Sequence, residues 1–375
     1  MLFRGTKEHP SAYELNLAIE ELSTTLDAVT SSDSTVFSLD VPGANAPKAI
    51  ALLGEMIREP VFGDMDVEKR IIREEILEGL DDDEHDIDPD DIVRRLLFAP
   101  HALGNKITGD LDDVEGFDET DLARHLSRHY VAGNATLSVA GAFDVTAVRA
   151  AAEAAFGELR GGARTASQAP QLAGGGNRFI FVHDEGSQTS VRASFPTFGE
   201  RDSRSPVLSL LERILDDGMS TRVHRRIIDE HGLAYDAFGA VEFFEDVGAL
   251  DLGASVAHDK APEALEALLG LTAELRGGTI TDGELDKAKR RALWDLETLV
   301  DEPGAMADFY GAAALLEIEE SPEDVAQRLR AVTISDVEAV AEELLAPDQL
   351  RVACVGVDEG TRSAEVRAVF EGWTG

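Results

Sequence analysis

Two glutamates in one predicted helix carry the clearest chemical signal in this sequence. Residues 66–80 predict a helix at 3.6 residues per turn, and Glu68 and Glu75 lie seven positions apart in the middle of its apolar half, among Val67, Ile71, Ile72 and Ile76. A globular helix buries its apolar half, so carboxylates there need a cation, a metal ion or several hydrogen-bond donors. Two interpretations stay open: glutamates ion-paired with arginines, or a metal-ligating glutamate beside a second acid.

The overall charge limits the partners. The 375 residues carry a net charge of −39, spread along the whole chain. Nucleic acids and anionic membranes bind basic surfaces, so neither is an expected partner. Acid spread in this way is typical of a protein kept soluble in concentrated salt, where the Debye length falls to ~3 Å at 1 M. We therefore expect a salt-adapted protein. We expect it to be cytoplasmic, because the first residues lack a secretory pattern and no run approaches the ~18 apolar residues of a membrane span.

The single cysteine, Cys354, excludes an intrachain disulfide and suits a reducing compartment. It lies in the apolar run Leu350–Val357, which predicts a buried small residue rather than a nucleophile.

The chain contains an internal repeat. Residues 46–54, which begin Ala-Pro, resemble residues 261–269, and residues 137–144 resemble residues 350–358. Each of the last two segments is a predicted strand that leads into a closing helix, at Val148–Leu159 and Ala364–Trp373. The repeat predicts two related domains, 1–161 and 177–375, joined by a flexible linker at 162–176 that is rich in Gly and small residues.

Each copy alternates strands with amphipathic helices, which predicts an α+β fold with helices packed on a mostly antiparallel sheet. In the second copy we predict a helix at Pro206–Asp216 and strands at Phe179–His183, Ser190–Phe195, Ala234–Glu242 and Gly248–Ser255. The first copy is shorter and lacks the equivalent of two strands and much of one helix, so its sheet is expected to be incomplete unless something else covers it. The acidic run 81–91 predicts a solvated loop, and its spacing does not fit a calcium-binding hand.

Several motifs resemble the pitrilysin/insulinase family of inverted-motif zinc metallopeptidases, which includes mitochondrial processing peptidase. They cover the chain in order: Met1–Pro10, Glu68–Ile76, His129–Asn134, Asp217–Arg222 and Gly232–Tyr235. The resemblance implies two related α+β domains that face each other across a chamber.

The resemblance also implies residue roles. In the family, zinc is held by the two His of a His-x-x-Glu-His motif and a distant Glu, and the Glu of the motif is the general base. Carried over, Glu75 matches the third zinc ligand and Glu68 an auxiliary acid. Asp27 stands where relatives usually have a substrate-binding Asn. Tyr235 matches a substrate-binding Tyr, but its usual Arg partner is replaced by Ile228, which cannot donate a hydrogen bond.

The sequence contains no His-x-x-Glu-His motif, whose family position lies directly ahead of Met1. Zinc is therefore an expected cofactor only if that motif is present upstream. The nearest substitute is the pair His125 and His129, whose i,i+4 spacing can hold a metal from one helix face but which has no acid of the motif between them. The position of this pair matches an ordinary stretch before a strand, which is the favoured interpretation over a metal site.

Two functions remain open, and with them whether the chain is an enzyme. The first is a zinc metallopeptidase acting on peptides or unfolded segments, incomplete and inactive as this chain stands. The alternative is a non-catalytic paralogue that serves as the partner or substrate-binding subunit of an active family member. By resemblance we expect a homodimer or heterodimer. The in-frame DNA upstream of Met1 separates the two, because an intact motif there favours the first.

Overall fold

The computed structural model describes residues 1–165, 168–171 and 177–375. Their elements, in chain order, begin with α1 (Ala12–Glu20), β1 (Leu26–Thr30), β2 (Thr35–Leu39), α2 (Ala46–Arg58), α3 (Met65–Glu78), α4 (Pro89–Phe98), α5 (Leu111–Gly116), α6 (Glu119–His129) and α7 (Val145–Phe156). They continue with β3 (Phe179–His183), β4 (Thr189–Phe198), α8 (Ser205–Leu215), β5 (Ala234–Phe243), β6 (Val247–Val256), α9 (Ala261–Arg276), α10 (Asp282–Leu299), α11 (Pro303–Leu315), α12 (Pro322–Ala331), α13 (Ile334–Leu344), β7 (Arg351–Gly356) and α14 (Arg362–Gly372).

The chain forms two compact units, and each is assembled from separate segments. Unit 1 comprises Met1–Glu78, Ile107–Ala166 and Leu299–Glu319, and unit 2 comprises Gly79–Lys106, Ser167–Thr298 and Glu320–Gly375. Two segments therefore pack away from their own copy of the repeat: α4 belongs to unit 2 and α11 to unit 1. The domain boundaries of the repeat stay a prediction, and residues 166–167 and 172–176 of the predicted linker lie outside the described residues.

Unit 2 is built on a five-stranded sheet in the order β3-β7-β4-β6-β5, antiparallel except for the parallel pair β3–β7. Alternate residues of β7 point to opposite faces: Val352 and Cys354 join the main core, whereas Ala353 and Val355 pack under α4. A strand covered on both faces needs apolar residues at every position. This accounts for the uninterrupted apolar run at 350–357 and confirms that Cys354 is buried.

The strands predicted in the second copy are confirmed, with β4, β5 and β6 longer than expected. The predicted helix at 206–216 is α8, and the two closing helices are α7 and α14. The α+β prediction is confirmed. Among the described helices, none is long and apolar enough to cross a membrane.

Helix α4 starts inside the acidic run that was predicted to be a loop. Asp88 accepts hydrogen bonds from the amides of Asp90 and Asp91, at 2.8 and 3.2 Å, and Pro89 occupies the first helical position. A capping Asp, a Pro at the first position and acids in the first turn all favour a helix start. The loop prediction is therefore wrong for residues 89–91, because the acids there serve as a helix start.

A polar cluster fixes α4 to the sheet. The guanidinium of Arg94 donates to both carboxylate oxygens of Asp251 on β6, at 3.1 and 2.6 Å, and to Glu242 on β5 at 2.9 Å. Ser194 on β4 donates a further hydrogen bond to Asp251. Asp251 is buried, so its charge depends on these donors.

Unit 1 has a smaller sheet, the antiparallel pair β1–β2, and none of the ten residues in these strands is buried. Its core lies between helices instead. Gly54 of α2 packs so closely on α7 that an added Cβ would lie 2.7 Å from the Cβ of Ala155. The strand predicted at 137–144 is wrong: residues 135–140 form no strand, since no described strand pairs with them.

We predict that Arg94→Ala lowers the free energy of unfolding by about 3–5 kcal/mol, because it leaves the Asp251 carboxylate buried without its cation. Urea unfolding followed by circular dichroism measures the change. Arg330→Ala is the matched control, since the Arg330–Glu323 pair is exposed and a pair of that kind contributes about 0–1 kcal/mol. Equal effects of the two substitutions would contradict the role assigned to Arg94.

Candidate functional site

Helix α3 carries both candidate glutamates, and its apolar half is only partly buried. Only Ile76 is buried, and Ile71 is 51 % exposed. The helix contacts α5 through its polar side: Lys69 donates to the carbonyl oxygen of Glu115 at 2.8 Å, and Arg73 donates to its carboxylate at 2.7 Å. The prediction that α3 buries its apolar half is therefore confirmed at Ile76 and wrong at Ile71 and Glu75, which are exposed.

The two glutamates have different environments. Glu68 is largely buried and forms an ion pair with Arg4, and this hydrogen bond raises the pKa of the Arg4 guanidinium. Glu75 is exposed and forms no hydrogen bond or ion pair with any residue the structure describes. Glu68 thus follows the ion-pair interpretation, whereas Glu75 has neither an arginine nor a second metal donor beside it.

The two predicted substrate-binding residues lie in different units. Asp27 is exposed on β1, opposite Ser38 of β2. Tyr235, near the start of β5, is 96 % exposed. Ile228 lies in a π-helical turn at His224–Glu230 and packs against the main core of unit 2, so this position contributes packing rather than a hydrogen bond. In the described part of unit 1, no hydrogen bond joins the side chains of Asp27, Glu68 and Glu75.

The donors around Glu75 do not fit a zinc site. A catalytic zinc ion takes three protein ligands and leaves one position open. Among residues 1–165, 168–171 and 177–375, no group of three or more His, Cys, Asp or Glu side chains is placed to hold a metal ion. Cys354 offers no alternative chemistry, because its complete burial raises the pKa of the thiol to about 12.

The two histidines of α6 lie with their rings in contact. The ring centroids of His125 and His129 are 4.7 Å apart, with 35° between the ring planes. His129 Nδ1 lies 3.4 Å from the hydroxyl of Thr165. Burial, and secondarily the neighbouring His129, lowers the pKa of His125. The i,i+4 spacing in the sequence is the signal that finds this pair.

Sequence reasoning missed one structural feature: two acids cap the edge of the unit 2 sheet. Glu212 of α8 accepts a hydrogen bond from the amide of Val241 at 3.0 Å, and Asp216 accepts one from the amide of Gly239 at 3.1 Å. Burial raises the pKa of Glu212. β5 is the last strand of the sheet, so these carboxylates occupy amides that an added strand would otherwise use. In the sequence, the only sign of this capping is that the two acids lie four residues apart at the end of a mostly apolar helix.

The fold matches solved structures of M16-type peptidases. The chain superposes on a protease from Helicobacter pylori with a TM-score of 0.82 at 19 % identity, over 95 % of this chain and 86 % of that one. It superposes on a peptidase M16 inactive domain from Pseudomonas fluorescens with a TM-score of 0.84 at 20 % identity, over 96 % and 87 %. The fold is therefore the α+β fold of these two solved structures.

The chain belongs to the pitrilysin/insulinase family, peptidase family M16. Residues 1–109 match the family model described as insulinase (peptidase family M16), and residues 116–292 match the one described as peptidase M16 inactive domain. An uncharacterized zinc protease of Streptomyces coelicolor is 26 % identical over 362 residues, covering 92 % of this chain and 76 % of the relative. One of Bacillus subtilis is 24 % identical over 356 residues, covering 93 % and 84 %.

We predict that Glu68→Gln and Glu75→Gln differ in their effect on stability. Glu68→Gln should lower the free energy of unfolding by about 1 kcal/mol, because it removes the charge that pairs with Arg4 in a largely buried setting. Glu75→Gln should change it by less than about 0.5 kcal/mol, since the carboxylate touches no described partner. Chemical denaturation of both variants in one buffer measures this. A larger loss for Glu75→Gln would show a partner for this side chain.

Proposed function

We propose that this protein binds peptides or unfolded polypeptide segments as a member of a zinc-peptidase family, and that these 375 residues by themselves do not hydrolyse them. Family membership supports the class of ligand, since the relatives are named zinc proteases. The proposed lack of hydrolysis rests on the surroundings of Glu75, whose carboxylate is exposed and has no described donor beside it.

The proposed roles follow the family pattern residue by residue. Glu75 is the carboxylate that would face the metal in a completed site, and Glu68 is the auxiliary acid one helical repeat earlier. A peptidase site also needs nitrogen ligands and a general base, which the family supplies from His-x-x-Glu-His. That motif is absent from the 375-residue sequence. The candidate metal donors among the described residues do not converge on one point, so they do not support a hydrolytic step.

We predict that the purified chain holds far less than one zinc per molecule at Glu75 and cleaves no unfolded peptide. Elemental analysis after dialysis measures the metal, and a fluorogenic casein-type substrate measures cleavage with and without a chelator. Glu75→Gln should leave both results unchanged in this chain. One tightly held zinc per chain, together with chelator-sensitive cleavage that Glu75→Gln abolishes, would overturn the proposal.

The alternative function is a non-catalytic subunit that binds substrate or supports an active family member in a homodimer or heterodimer. Two positions favour it. Ile228 is part of the unit 2 core, so the usual Arg is replaced by a packing residue, and Tyr235 presents its whole ring to solvent next to an edge strand. The spread negative charge and the scarcity of lysine support a setting of concentrated salt inside the cell.

We predict that Tyr235→Ala weakens binding of an unfolded, fluorescently labelled peptide about fivefold, because an exposed aromatic ring is a typical binding anchor. Fluorescence anisotropy in concentrated KCl measures the affinity. Tyr13→Ala is the control: Tyr13 is 76 % exposed on α1, in the other unit. An equal loss in both variants, or no loss in either, would remove Tyr235 from the binding surface.

A further inference from the structure

We propose that α6 carries a second, separate metal site: a two-histidine clamp, formed by His125 and His129, for divalent transition-metal ions such as Zn²⁺, Cu²⁺ and Ni²⁺. It lies on the exposed surface of unit 1 and does not involve Glu75. The proposal is independent of peptide binding and of hydrolysis.

The ring positions fit a shared metal ion. A zinc–nitrogen bond of about 2.0–2.1 Å, added to the half-width of an imidazole ring, places each ring centroid about 3.2 Å from a bound ion. Two such ligands at an angle of about 90–110° have centroids about 4.5–5.2 Å apart. The observed separation of 4.7 Å falls in this range. This separation allows both rings to bind one ion once the side chains rotate to turn a nitrogen of each ring towards it.

The helix that carries the pair is fixed at both ends. At its start, the Asp118 carboxylate accepts from the amides of Thr120 and Asp121, and the Asp121 carboxylate accepts from the amide of Asp118, which is a capping box. At its end, Asn134 donates to the carbonyl oxygen of His129 at 2.9 Å. The backbone positions of the two histidines are therefore held one turn apart before any ion binds, which reduces the entropy that binding must overcome.

The surrounding charges permit a cation. The nearest arginine towards the helix start, Arg124, is ion-paired with Asp121 at 2.9 Å. Arg128, three residues after His125, lies on the same side of the helix, but it is exposed, so solvent and salt screen its charge. The net charge of −39 raises the local concentration of cations around the whole chain.

The chemistry of the donors selects the ion. Imidazole nitrogens suit zinc, copper and nickel, whereas magnesium and calcium require several oxygen ligands. Two protein ligands leave the remaining positions to water, so we expect an open, exchangeable site. Because the ion binds the folded helix and not the unfolded chain, it should raise the thermal stability of unit 1 in proportion to its concentration.

The test uses the full 375-residue chain, first treated with chelator and dialysed, and NiCl₂ alone as the probe. Isothermal titration should give one dominant site per chain, and the midpoint of thermal unfolding should rise with nickel but not with MgCl₂. His125→Gln and His129→Ala should each weaken nickel binding at least tenfold.

A matched variant tests whether nickel binding needs the spacing of the two histidines and not only their number. Ser127→His combined with His129→Ala keeps the number of histidines on α6 but places them two residues apart, on different sides of the helix. This variant should bind nickel as weakly as His129→Ala alone. His231→Ala, in unit 2, should bind like the original chain.

The proposal is overturned if the respaced variant keeps the original affinity, or if His125→Gln and His129→Ala both leave it unchanged. Circular dichroism at each step shows whether the variants stay folded. If His129→Ala fails to fold, the respaced variant fails with it, and His125→Gln alone decides the question: unchanged nickel affinity in His125→Gln then overturns the proposal.

Discussion

The contact between Arg94 and Asp251 is the interaction on which the organisation of unit 2 depends. A carboxylate buried in the middle of a sheet is unstable without a cation, and Arg94 supplies one from α4, a helix of the first copy of the repeat. Around this pair, apolar residues of α4 cover one face of the sheet while the other helices of unit 2 cover the opposite face. The sheet is buried on both sides, and the chain segment 79–106 becomes part of a unit to which its sequence position does not assign it.

The same requirement for a partner explains the state of α3. Glu68 has an arginine within reach and forms a buried ion pair, whereas Glu75 has neither a cation nor a second metal donor among the described residues. A carboxylate in a family motif is a potential ligand, but a metal site exists only where several donors converge on one point. The family assigns Glu75 to such a site, and the surroundings of Glu75 in this chain do not provide one.

Much of the fold could be predicted from the sequence. The strands of unit 2 alternate or run continuously apolar, and β3 was predicted with its bounds, while α8 and the closing helices were predicted to within a few residues. The failures share a cause. The segment 137–144 has strand-forming residues but pairs with no described strand, and Ile71 in the apolar half of α3 is exposed although Ile76 is buried. In both cases the local pattern is present, and the packing of neighbouring elements decides how much of it is used. The capping of β5 by Glu212 and Asp216 depends on how α8 crosses the sheet edge, which no local pattern contains.

The sequence by itself determined the family, the α+β class, the repeat and the residue types available for chemistry, because these follow from motifs and from periodicities of two and 3.6 residues. The tertiary structure alone decided which unit each segment joins, that α4 begins within the acidic run, and that Glu68 is paired while Glu75 is exposed. It also decided that two histidines one turn apart have their rings at a distance suited to one ion. These outcomes depend on distances between side chains that are remote in sequence or free to rotate, and such distances are set only when the elements pack.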